Sequence, residues 1–582
     1  MSLDKTLWAA VVAVAGIGVA AACGPNFPWQ LFDSRSEAVA EPISLDFDSR
    51  AKELAAAPTG NLKAVESEEP SDTPEAVAAE RREADSGAWR GHAAGATTFL
   101  VRKLALARAA ENGDAALTAG AGLPPAVATY IAGAVEFHAE RYESAAKYFN
   151  DVERLPPAQR QLRAVEATYM RGRSLQKMGD AAGARAAFRG VRAHVLAGAP
   201  DPMGLGVASL GEEARLDMLA LGFTSPDAVV PPPNMDKAVA VKHAADAIRL
   251  YAQQAAAGSK IALLSLREVA AWLIDRPDFL QDVASEPIVR RLLVTYVVAR
   301  NGQEIWGDGV GDDESAERVI DAILAQPDLP TDDDVDRLAA LAYQTARYDV
   351  AEKLTQAARL PLGLWVRAKL GLRRGDRAAA VRDWTAALGA ATASAKGDLD
   401  DPAKLRLRGE LAVMRVAEGQ YMESLRLLFP VAENYWGDVT YIAERVLTVD
   451  ELKTFVDGLQ PAPPANAPSY GWLGLEPRAS LRMLLGRRLI RAGRNAEAVA
   501  YFPTEPRKSD DDPPKPLPPL ADEARTYVDR VAAAAPTSRW QSVSRAEALF
   551  KVAMMTRRQG LEIMGTEGPP DEAVLGGNFA GG

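Results

Sequence analysis

Cysteine is almost missing from this chain, with Cys23 the single one in 582 residues. No disulfide can form within it. The four histidines, His92, His138, His194 and His243, never lie within four residues of one another, so no His-Glu-x-x-His zinc helix exists. His138-Ala-Glu140 lacks the companion cysteines of a zinc deaminase. Aromatics make up only 7% of the sequence and alternating β-branched runs are scarce, which predicts a mostly helical protein. The net charge of -11, with no stripe of Lys and Arg, argues against a nucleic-acid partner.

The usual catalytic signatures are missing too. Gly302 and Gly307 have the glycine spacing of a phosphate loop, but Asp308 stands where lysine is needed. The stretch from Gly206 through Ser209 to Gly211 is one residue too long for a nucleophile elbow. Asp308, Asp312 and Asp313 lack the spacing and the closing glutamate of a calcium loop. Asp332, Asp333 and Asp334 after Thr331 read as a capped helix start rather than a metal site. No catalytic residue, cofactor or metal is expected.

Present instead is a charged and then apolar N-terminus. Lys5 precedes an apolar run, Leu7 to Ala22, that is too short and too glycine-interrupted for a membrane span. Ala20-Ala21-Ala22-Cys23-Gly24 closes it. This resembles the lipobox of bacterial lipoproteins, although Ala20 stands where Leu or Val is usual. The resemblance implies a signal peptide over 1–22, lipidation at Cys23, and attachment to the outer membrane facing the periplasm. Each buried methylene of an acyl chain contributes about 0.8 kcal/mol of anchoring. Residues 23–85 then read as an anchor and a flexible acidic spacer, with Pro25, Pro28 and Trp29 in a short extended tether.

The body carries repeats. In Ala126 to Pro157, Gly133 sits mid-helix and Ala145, Phe149 and Val152 share the face of a second helix. In the next unit Gly172, Ala184, Phe188 and Val191 hold the matching places, with Gly179 at the turn. These residues resemble the tetratricopeptide repeat (TPR), a helical hairpin that buries its apolar face by stacking on its neighbours. Weaker copies follow at Ala351, at Gly375 with Trp384, at Gly419 with Ser424 in place of Ala, and at Gly486 with Phe502. The fold expected is an all-α, TPR-like solenoid of stacked hairpins interrupted by loops. A first array covers 86–300 and a second 301–460. A linker covers 461–477, a further hairpin 478–503, a Pro-rich linker 504–519, and a helical pair with a Gly-rich tail 520–582.

Such surfaces bind rather than catalyse. The resemblance places Tyr130, Phe137, His138, Tyr169, Arg173 and Lys177 on the first helices, facing inward, where they either hold an extended peptide or, for Tyr130 and Phe137, pack between repeats. The function expected is a lipid-anchored periplasmic scaffold for an envelope protein. Several segments, including CGPNFPW and YIAERVLTVDELK, are similar to bacterial envelope lipoproteins with helical repeats, and no activity comes with that likeness. A glycan-binding lipoprotein similar to the SusD-like family is the alternative, with Tyr470 and Trp472 as its aromatics. A helical enzyme without a linear motif is a third, minor one.

Overall fold

Two glycines set the spacing of the best hairpins. A Cβ on Gly133 would lie 2.7 Å from a ring carbon of Phe149, and one on Gly172 2.6 Å from a ring carbon of Phe188. Each ring therefore fills the space that any larger residue would need, and both rings are fully buried. Hairpins that close around such a pair leave an apolar flank, which the next hairpin covers. The turns differ in an instructive way. Gly179 takes the left-handed conformation at φ +81°, and Glu140 takes it at the same place in the first hairpin with φ 57°. A side chain there costs about 1–2 kcal/mol.

The computed structural model describes residues 31–32, 35–58, 62–64, 94–223, 230, 232, 234–300, 313–327, 333–393, 399–459, 476–508, 516–535 and 542–565. It is all-α, as expected, with helices packed pairwise along the chain. The exception among the described residues is a two-residue antiparallel ladder, Arg507 opposite Leu517 and Lys508 opposite Pro516. It lies in the stretch expected to be a stiff Pro-rich linker; the ends of that stretch instead return to each other.

The described residues fall into two compact units. One comprises 42–367 and 396–400. Its three leading hairpins are Pro125–His138 with Tyr142–Glu153, Ala164–Lys177 with Ala181–Leu196, and Leu205–Ala220 with Lys237–Ala256. Ala94–Arg108 caps the first of them through Leu100 and Leu104, which pack on Val127 and Ile131. Helices Lys260–Ile274, Pro287–Arg300, Asp333–Gln344 and Tyr348–Thr355 continue the unit. Asp334 forms ion pairs with Arg50 and Arg291.

The other unit comprises 1–41, 368–395 and 401–582. Arg377–Ala393 packs on the hairpin Asp401–Ala417 with Tyr421–Leu428, and Trp384 is fully buried. Thr448 caps Val449–Asp457: its hydroxyl accepts from the Glu451 N–H, and the Glu451 carboxylate accepts from the Thr448 N–H. In the last repeat, Phe502 presses on Gly486, but the second helix shrinks to Asn495–Ala498 and a 3₁₀ turn.

The segment before the repeats differs from the expected flexible spacer. Cys23, Pro25, Pro28 and Trp29 lie outside the described residues, as does most of 59–93. Residues 31–32, 35–58 and 62–64, however, are packed. In one unit, both carboxylate oxygens of Asp438 accept from the Leu31 and Phe32 N–H groups at 3.1 and 3.0 Å. Lys369 Nζ donates to the Val39 carbonyl at 2.7 Å. In the other, Ile43 and Leu45 are buried in alternation with half-exposed Pro42, Ser44 and Asp46, so this stretch lies extended on the helices, and buried Phe47 opens the helix Phe47–Ala51. Gln344 donates to the Ile43 carbonyl at 2.7 Å, and the Asp46 N–H donates to Asp400. The residues expected to be solvated are too apolar here to stay in water, and the helices supply partners for their backbone.

Candidate functional site

The first helices of the two leading hairpins, Pro125–His138 and Ala164–Lys177, border a groove of about 660 Å³. Val127, Tyr130, Ile131 and Val135 form one wall, Arg163, Glu166 and Met170 the other. Leu104 and Met203 also reach it, and Met203 is half exposed. The helices come together because Gly133 and Gly172 admit the rings behind them, so the groove's walls follow from the repeat itself.

Five of the six residues expected on the inward face divide between the groove and the next hairpin, and the sixth is solvated. Tyr130 lines the groove and also packs on Phe149, with ring centroids 5.5 Å apart. The Phe149 contact lies within its own hairpin, while Arg163 of the next one stands over the Tyr130 ring. His138 stands exposed at the rim, and Phe137 lines the same groove while stacking edge-on to Tyr142 at 5.4 Å. Tyr169 and Arg173 face the third hairpin: the Tyr169 hydroxyl donates to Glu212 Oε1 at 3.2 Å, and Arg173 pairs with the same oxygen at 3.1 Å. Burial pushes the Tyr169 phenol well up, and the nearby Glu212 charge adds to this. Lys177 is exposed at the helix end and is not part of the groove wall. Cys23, Tyr470 and Trp472 lie outside the described residues.

Arg163 and Glu166 are the polar residues that sequence reasoning missed. Both are buried in the groove wall, and Arg163 donates to Glu166 at 2.7 Å. The guanidinium also stands 5.5 Å from the Tyr130 ring centre. Arg163 precedes its helix at the N-cap position, so the helical face pattern could not assign it; the three-residue spacing to Glu166 was the one available signal. On the first helix but outside the groove lining, Glu136 accepts from the Gly113 N–H and from Arg141. The hydrogen bond from Arg141 holds its carboxyl below the usual range, against the opposing effect of burial.

Chemically, the groove offers apolar walls, one polarised aromatic face and a few fixed charges. That suits holding a chain segment with apolar side chains. Among the described residues, no group of three or more His, Cys, Asp or Glu is placed to hold a metal ion, and no helix is long and apolar enough to cross a membrane. The chain matches no protein-family model and no curated protein.

Proposed function

We propose that this protein is a lipid-anchored periplasmic docking scaffold. It is attached through acylated Cys23 to the outer membrane and holds a segment of an envelope protein partner in the groove between Pro125–His138 and Ala164–Lys177. It works by binding rather than turnover, without metal or cofactor. One observation carries the reading. The chain's own residues 42–46 lie extended on its helices with Ile43 and Leu45 buried between half-exposed neighbours, so this helical array already accommodates a short extended peptide. The groove presents a similar mixture of apolar wall and polar rim. The anchor rests on the lipobox resemblance, and the two parts are tested separately.

For the anchor, membrane association is compared in Cys23→Ser. Release into the periplasmic fraction is expected, and unchanged association would sink the lipid. For the docking, a photo-crosslinking amino acid replaces Met203 in the producing cell, with Lys147 on a second helix as the control position. One discrete protein adduct is expected at position 203 and none at 147. Crosslinks to polysaccharide alone, or equal adducts at both positions, would overturn it.

A further inference from the structure

A second built site holds the N-terminal segment where it first meets the helices. Leu31 is fully buried and fills the space that a side chain at 409 would need. A Cβ on Gly409 would lie 2.7 Å from Leu31 Cδ1 and 3.0 Å from Tyr435 Oη. Asp438, itself fully buried, accepts from the Leu31 and Phe32 N–H groups. The Phe32 ring packs toward Tyr441, with centroids 6.0 Å apart. Farther along, Lys369 donates to the Val39 carbonyl. Arg406 donates to the Glu41 carbonyl and pairs with its carboxylate, each at 3.0 Å.

This socket is built to stay filled. Withdrawing the segment would take two N–H donors from buried Asp438 and a carbonyl acceptor from buried Lys369. Buried charges that lose partners are strongly disfavoured. The place of the socket in the sequence gives it a second consequence. Leu31 lies eight residues after Cys23. Whatever path they take, eight residues cannot span more than about 28 Å. With the socket empty, the first held residue would be Ile43, whose carbonyl accepts from Gln344 in the other compact unit. It lies twenty residues after Cys23, a length that could span about 70 Å.

We infer that Asp438, Gly409, Lys369 and Arg406 form a tether clamp, which keeps the surface around Leu31 within about 28 Å of the lipid that carries the acyl chains. This deepens the anchoring reading and rests on acylation of Cys23. A chain joined to its anchor by a long loose spacer would range through the periplasm. The clamp replaces that spacer with a short leash, so this unit meets its partners next to the membrane.

The acylated full chain is placed on vesicles of phosphatidylethanolamine and phosphatidylglycerol that carry an acceptor dye on the lipid headgroup. A donor dye is attached at Asn434→Cys, an exposed position next to Tyr435 and, with Cys23 acylated, the one free thiol. Energy transfer should fall at least twofold when twenty Gly and Ser residues are inserted between Trp29 and Gln30, which adds about 25 Å of reach and leaves the socket intact. Gly409→Leu, whose side chain expels Leu31, and Asp438→Ala should lower it as well, with thermal melts confirming that each is folded. Transfer that the insertion leaves unchanged overturns the clamp, because the tether then does not set the distance. A fall with the insertion but with neither substitution also overturns it, and places the hold farther along the chain. Vesicle association that persists in Cys23→Ser overturns the anchor and the clamp with it.

Discussion

Ala164–Lys177 and Asp401–Ala417 are each the first helix of a hairpin, yet their polar residues are handled in opposite ways. On Asp401–Ala417, Glu410 is fully buried and saturated. Lys369 donates to it at 2.9 Å, Arg406 at 3.0 Å and the Trp384 indole at 3.2 Å. Lys369 in turn needs the Val39 carbonyl of the N-terminal segment. Burial pushes its ammonium down to about 8, with Glu410 pulling it back. On Ala164–Lys177, Arg163 and Glu166 instead pair with each other in the wall of an open groove, and Arg173 pairs with Glu212 of the next hairpin. A buried charge network needs a permanent partner, which this chain supplies to itself in one place.

Substitutions should separate the two regions. The largest effect is expected for Lys369→Met, which leaves Glu410 buried with fewer partners. Urea unfolding should show a loss of about 3 kcal/mol, and a loss under 1 kcal/mol would mean the network is dispensable. Gly172→Ala comes next, because its methyl has to displace Phe188. It should destabilise the leading hairpins by about 1–3 kcal/mol, read by hydrogen exchange across Ala181–Leu196. A smaller effect, visible in its pH dependence, is expected for Glu136→Gln. The folded carboxyl sits below its ordinary value of 4.5, so its contribution is complete above that value and lost as pH falls through the folded one. The gap between parent and variant melting temperatures should be widest at neutral pH and close in acid. Met203→Asp should be smallest, within about 0.5 kcal/mol, because the side chain is half exposed. It should nonetheless abolish docking.

The repeat architecture was legible because its signal is local. Gly133 with Phe149 and Gly172 with Phe188 fix the hairpins through spacing alone, and the Thr448 cap is read from three residues. The repeat resemblance put Tyr130, Phe137 and His138 on the inward face together with Tyr169, Arg173 and Lys177, and only the first three line the groove. Arg163 and Glu212 could not. One sits before its helix, and the other meets Arg173 across a hairpin boundary whose geometry no local pattern encodes. The packed N-terminal segment was hidden for a similar reason. PISLDF alternates like a strand, but nothing near it in sequence says that Gln344 and Asp400 will take its backbone groups. Its acidic, Pro-containing surroundings favour a spacer reading, and long-range pairing overrides it.

The contrast between a filled and an open face is tested most directly by hydrogen exchange on the intact chain with and without a dodecapeptide selected on that chain from a random phage library. Added protection should be confined to Pro125–His138, Ala164–Lys177 and the start of Leu205–Ala220, with residues 35–58 unchanged. Protection appearing instead over Asp401–Ala417 or Asp333–Gln344, with residues 35–58 becoming exposed, would contradict the account. The peptide would then be displacing the chain's own segment rather than filling an open groove.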